Sequence, residues 1–247
     1  MSGYDAASGS LIDRAWEAFD RDGTEGARLA RAALDQDPAE IDGFVVLALC
    51  TPCRAERVAL LREGVRLGQA EHAAALADPE DHDFWADLGT RPYMRAVHNL
   101  VLELWVGGTD DGRREAARLA QHLVRINPED HQGIRFLLMI WLPALGRWDA
   151  LARLLSGYAD EERTETRYAR ALLAYRVARE DADDLLAAAV ALNPHVPALI
   201  GDGRPPETSG QSVGFRGEEE ALSYAHHAHP IWTSVPGAEA WIARRSR

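Results

Sequence analysis

Apolar residues recur every third or fourth position along almost all of the 247 residues, and this one pattern excludes most folds. A helix brings its apolar face round every ~3.6 residues and a strand every two; no stretch here alternates with hairpin signals at its ends. The chain is therefore expected to be all-α. Its helical segments come in pairs: "LIDRAWEAFD" with "TEGARLARAALDQDP", "EIDGFVVLALC" with "RAERVALLREGVRLGQAEHAAAL", "RPYMRAVHNLVLELWVGG" with "DGRREAARLAQHLVRINP", "QGIRFLLMIWLPAL" with "WDALARLLSGY", "TETRYARALLAYRVAR" with "DADDLLAAAVALNP", and "GEEEALSYAHHAH" with "PGAEAWIARR".

Three of the second helices end alike, in "LDQDP", "VRINP" and "VALNP". Proline lacks an N–H and disfavours helix at the residue before it, so it closes one helix and suits the first turn of the next. Asp37, Asn127 and Asn193 precede these prolines and can accept hydrogen bonds from orphan helix N–H groups. Pro128 and Pro194 lie 66 residues apart, close to two units of the ~34-residue tetratricopeptide period. Small residues such as Ala116, Ala120, Ala150, Ala182 and Ala189 would let neighbouring helices approach closely. The expected architecture is a set of tetratricopeptide-like helical hairpins stacked as a short right-handed solenoid, each hairpin burying its apolar stripe against the next. Residues 1–90 would form acidic N-terminal hairpins; residues 91–247 would form the repeat region, closed by a capping hairpin after a glycine- and proline-rich loop at 201–216. The seven tryptophans are spread along the chain and read mostly as anchors between hairpins, Trp85 being the expected exception.

Charge narrows the partners. All 27 basic residues are arginine, against 39 acids. Residues 1–90 carry 18 acids and 8 arginines; residues 91–247 carry 21 and 19. A net charge of -12 repels nucleic acid and anionic lipid, so neither is an expected partner. The start "MSGYDAASGS" lacks the basic and apolar regions of a signal peptide, and no apolar run approaches the ~20 residues that span a bilayer, so a cytoplasmic location is expected. The absence of lysine closes the Walker and Schiff-base routes.

From "NPHVPALIGDGRPP" onward through "RGEEEALSYAHHAHPIWTSVPGAEAWI" the chain resembles the C-terminal part of the suppression-of-tumorigenicity-seven family. Upstream, "TRPYMRA", "INPEDHQGIRFLL" and "RYARALLAYR" look like bacterial tetratricopeptide-repeat proteins of the same broad group. The resemblance implies a helical-repeat fold and brings no catalytic residues with it. Animal members carry membrane segments that have no counterpart here.

Three constellations hold the chemistry. Cys50-Thr51-Pro52-Cys53 has the spacing of a thioredoxin-type dithiol, which needs parallel strands around it; helix follows helix here, so the stretch reads as an inter-helix turn, with thiol-redox chemistry as the alternative. A tetrahedral zinc site from Cys50, Cys53, His226 and His229 is a further alternative, although the two pairs are more than 170 residues apart. Arg95 and Asn99, four residues apart on a first helix, have the spacing with which tetratricopeptide grooves hold a peptide carboxylate, and Gln132, Arg135, Arg167 and Arg170 would extend that patch. The expectation is a non-enzymatic scaffold without a cofactor that binds a protein or peptide, one with an acidic stretch or a C-terminal carboxylate, along its concave face. Self-association through uncapped terminal hairpins is also open.

Overall fold

Local sequence signals set most helix ends. In the computed structural model, which describes residues 10–203, 207 and 217–245, Ser10 opens helix α1 (Leu11–Phe19) with a capping box: its hydroxyl accepts from the Asp13 N–H at 3.2 Å while Asp13 Oδ2 accepts from the Ser10 N–H at 3.1 Å. Asp22 caps α2 (Gly23–Gln36), accepting from the Thr24 N–H at 2.9 Å. Helices α3 (Ile41–Leu49) and α4 (Arg54–Glu71) flank the cysteine turn. The expected continuation of α4 breaks at His72 into a short α5 (Ala73–Ala77) and two 3₁₀ turns, Pro79–Asp81 and Leu88–Thr90. Then come α6 (Arg91–Val106) and α7 (Asp110–Ile126), followed by α8 (Ile134–Ala144), α9 (Trp148–Gly157), α10 (Thr164–Arg176), α11 (Ala182–Leu192), α12 (Val196–Gly201), α13 (Glu218–Ser234) and α14 (Ala238–Ala243). Among the described residues there is no strand, and no helix is long and apolar enough to cross a membrane.

The proline signatures end helices as expected, by Asx-type turns rather than by capping the next helix. Asp37, Asn127 and Asn193 terminate α2, α7 and α11. Asp37 Oδ1 accepts from the Ala39 N–H at 2.9 Å and Asn193 Oδ1 from the His195 N–H at 3.2 Å, each two residues on. Asn127 differs: its Oδ1 meets His131 Nδ1 at 3.0 Å. Of the loop expected at 201–216, α12 takes Gly201 and the stretches 204–206 and 208–216 lie outside the described residues.

The chain divides into two compact units, residues 1–134 and 135–247; position 90, where composition shifts, falls inside the first. In that unit every long helix packs on the next, α1 on α2, α2 on α3, α3 on α4, α4 on α6 and α6 on α7. The first helices also touch one another directly, α1 with α3 and α3 with α6. Small residues permit the closest crossing: at Gly68 of α4 an added Cβ would stand 2.5 Å from the ring of Tyr93 on α6, which has no exposed surface. The core between them is aliphatic, with Val45, Val46, Leu61, Met94, Val97, Leu100 and Val101 nearly or fully buried.

The second unit is organised around one helix. Helix α10 packs against α9, α11, α13 and α14, while α12 and α14 close on α13. Its core holds an aromatic cluster among alanine and branched aliphatic side chains: Trp232, Tyr168 and Tyr224 interlock, with the Tyr168 ring 5.5 Å from Tyr224 and 6.3 Å from Trp232, and Trp241 stacks on Trp232 at 6.2 Å. Each polar edge finds a partner. Tyr168 donates to the Asn193 carbonyl at 2.7 Å, Trp232 Nε1 to the Tyr224 hydroxyl at 3.0 Å, and Trp241 Nε1 to Asp183 Oδ1 at 2.9 Å.

The tryptophans divide accordingly. Trp141, Trp232 and Trp241 are buried as expected of anchors. Trp16, Trp85, Trp105 and Trp148 are half-buried, and each has a guanidinium over its ring, from Arg95, Arg91, Arg113 and Arg176 at 5.9, 4.5, 5.5 and 5.0 Å.

Candidate functional site

The arginine that the spacing singles out sits in a prepared setting. Arg95 projects from α6 and donates through Nε to Asp42 Oδ1 at 2.9 Å and through Nη2 to Asp42 Oδ2. Asp42 lies in the first turn of α3 and keeps only 6 % of its surface exposed, whereas the Arg95 side chain keeps 38 %. A buried carboxylate thus fixes a half-exposed guanidinium in a bidentate clamp and offsets its charge. The ring of Trp16 on α1 faces the same guanidinium. One side chain from each of three successive first helices therefore meets at this point. Asn99 is turned to its own helix, donating from Nδ2 to the Arg95 carbonyl at 2.9 Å. Gln132 crosses to α6 from the turn after α7, its Nε2 3.3 Å from the Met94 carbonyl and 3.4 Å from His98 Nδ1.

The other three arginines belong to the second unit, where they gather on a different set of acceptors. Arg135 donates through Nε and Nη2 to Glu161 Oε2 at 3.2 and 2.6 Å, with its guanidinium over Phe136 at 4.2 Å and Tyr158 at 5.0 Å. Arg167 pairs with Glu162, and Arg170 donates to the Tyr158 carbonyl. Burial, followed by the neighbouring Arg167 charge, pulls the Arg170 pKa down from its ordinary value. The acidic run 160–162 and this arginine group, separate features in the sequence, are thus partners of one another.

Sequence reasoning missed Asp42, Trp16 and Glu161 as members of these groups. Asp42 left a faint signal, a lone acid in the otherwise apolar run "IDGFVVLAL"; a charge in such a helix needs a counter-ion. Nothing in the sequence says that the counter-ion comes from a position 53 residues later.

The cysteine turn lies between α3 and α4. Cys50 is half-buried against Ala15, Leu29, Ala30 and Val46, and burial pushes its thiol pKa up. Cys53 is exposed at the start of α4. Arg57 reaches back over the turn, donating to the Thr51 and Pro52 carbonyls at 3.2 and 2.8 Å. Of the residues weighed for zinc, the cysteines are in the first unit and the histidines in the second: His229 is buried in α13, and His226 lies beside His227 with ring centroids 4.9 Å apart. Among the described residues, no group of three or more His, Cys, Asp or Glu side chains is placed to hold a metal ion.

Neither a family model, nor a curated protein, nor a solved structure matches the chain.

Proposed function

We propose that the protein is a helical-repeat scaffold of tetratricopeptide type, without catalytic activity, that binds a protein or peptide along the face made by the first helices of its first unit. The observation that carries this reading is the packing order there: each helix lies on the next, and α1, α3 and α6 touch one another directly. Stacked hairpins produce that order, and their first helices then share one continuous surface. On this face lies Arg95, clamped by Asp42 beside Trp16. A clamped guanidinium loses little side-chain entropy on binding. Its Nη1 edge, not used by Asp42, is the group offered to a peptide carbonyl or carboxylate oxygen.

The test is affinity capture from the native cell with the full chain as bait, followed by binding of each recovered partner to variants. Trp16→Ala and the double variant Asp42→Asn/Arg95→Gln, which removes both charges together, are expected to weaken a genuine groove partner by about tenfold or more. Partners that bind both variants as tightly as the native chain would refute the proposed face. Their helical signal by circular dichroism separates lost contact from lost fold.

A further inference from the structure

A second surface of the first unit has the opposite electrical character from the unit as a whole. Helices α4 and α7, both second helices, are held together by Arg62, which donates bidentately to Glu115 at 2.7 and 2.6 Å. Beyond that tie the two helices border an open cleft of about 360 Å³, lined by Gln69 of α4 and by Arg118, Leu119, Gln121, His122 and Arg125 of α7. No carboxylate lines it, although the unit, residues 1–134, carries 24 acids against 14 arginines. Arg118 makes no close ion pair or hydrogen bond among the described residues; Glu115, one turn before it, gives both its carboxylate oxygens to Arg62 and interacts with Arg118 only through its field.

The interior of the cleft fixes its donors. Arg125 Nη2 lies 3.1 Å from His122 Nδ1, and a guanidinium can only donate, so Nδ1 accepts and the imidazole proton sits on Nε2. That N–H donates to the Tyr93 hydroxyl at 2.8 Å. The imidazole is thereby held neutral, so the charge facing the cleft is that of the two arginines. Burial first, then the Arg125 and Arg118 charges, lower its pKa to about 4. The same positive field that disfavours a proton on His122 favours an anion in front of it.

We propose that this cleft binds a phosphate group, with Arg118 and Arg125 as its charged donors and Gln69 and Gln121 as flanking neutral ones. Two guanidinium groups facing one opening suit the several oxygens of a dianion better than the two oxygens of a carboxylate. The site lies on second helices and is separate from the first-helix face proposed above, so either can fail without the other.

The experiment titrates inorganic phosphate and, in parallel, phenyl phosphate into the full chain at constant ionic strength, following the His122 imidazole by NMR. The expected result is a saturable shift, together with a rise of the His122 pKa from about 4 as the bound dianion offsets the arginine charges. Arg118→Gln and Arg125→Gln should each weaken binding by about tenfold. Arg114→Gln, an exposed arginine on the same helix that pairs with Asp111, should leave it unchanged. Tighter binding of phenyl phosphate would assign the site to a phosphate carried on a larger molecule, and equal or weaker binding to free phosphate. The proposal is overturned by a shift that does not saturate, by equal losses in all three variants, or by acetate binding as tightly as phosphate.

Discussion

In the second unit Trp232 has no exposed surface among Tyr168, Tyr224 and Trp241, whereas in the first unit Trp16, Trp85 and Trp105 are each half-buried beneath an arginine. The same residue type serves two constructions. Where helices close around a common axis, as they do on α10, one large aromatic can touch several of them at once. Where helices stack in chain order, cohesion is spread over small residues at the crossings and ion pairs at the edges. Arg57 with Glu103, Arg62 with Glu115 and Arg95 with Asp42 are those edges, each joining helices about fifty positions apart in sequence. The stack spreads its tryptophans along its edges, whereas the cluster buries Trp232 and Trp241 together and leaves Trp148 half-buried beneath Arg176.

The largest expected effect tests whether the second unit has one centre. Trp232→Ala should destabilise it by about 3–5 kcal/mol, the range for removing a fully buried aromatic. Trp105→Ala, which removes a half-buried ring and its Arg113 contact, should cost the first unit about 1 kcal/mol. Hydrogen exchange resolved by residue, as a function of urea, reports the two units separately. Equal losses would erase the contrast between cluster and stack.

Next in size is the crossing at Gly68. Replacing a helix-interior glycine by alanine ordinarily gains about 1 kcal/mol of helix propensity. Here the new methyl would meet the Tyr93 ring at 2.5 Å, and Tyr93 is tethered through its hydroxyl to His122. Overpacking of about 1–3 kcal/mol should therefore outweigh the gain. If Gly68→Ala raises the melting temperature, the helices of the stack are not as closely apposed as their backbones indicate.

Much of this was legible from the chain alone. The helix pairs α1/α2, α3/α4, α6/α7, α10/α11 and α13/α14 follow the periodicity, and they pack on each other. Asp37, Asn127 and Asn193 end helices where proline chemistry requires it. Of the small residues expected at crossings, Ala116, Ala120, Ala150 and Ala189 are buried and Ala182 is partly so. What could not be read was pairing over distance. Spacing along a helix identifies Arg95 and Asn99 as neighbours, but it is silent on Asp42; it separates Arg135 from the acids at 161 and 162 that join it and Arg167 in one group. Charge partners are chosen by the fold, and a sequence displays only the candidates.

A third prediction isolates one such partner. Arg95→Gln leaves Asp42 buried with its charge uncompensated, and because the arginine is partly exposed the loss should be about 1–2 kcal/mol rather than the full cost of breaking a deeply buried pair. Adding Asp42→Asn should restore most of it, since neither charge then remains. A double variant no more stable than the single one would mean that the clamp contributes specific bonding beyond charge compensation.

The smallest effect is also the one in which the units should move in opposite directions. Each holds a titratable group that burial drives toward its neutral form, but the two groups carry opposite charge when ionised. In the first unit burial, Arg125 and Arg118 hold the His122 pKa at about 4, below its ordinary 6.5. The unfolded chain therefore binds the proton first, and this contribution is whole above pH 6.5 and is lost as pH falls toward about 4. In the second unit burial raises the pKa of Glu165 above its ordinary 4.5; Arg163 opposes the shift, and Glu220 and Glu161 add to it. Here the folded chain binds the proton first. Its contribution is whole below pH 4.5 and is lost as pH rises through the folded value. Glu165→Gln, neutral at every pH, should accordingly stabilise the second unit at neutral pH, and the gain should shrink on acidification. His122→Gln should instead lessen the acid sensitivity of the first unit, leaving the part due to carboxyls such as Glu115, which Arg62 holds below its ordinary range, and leave the second unit unchanged. Hydrogen exchange of each unit between pH 4 and pH 7 gives the readout, and a Glu165→Gln gain that grows on acidification would reverse the sign assigned to that carboxyl.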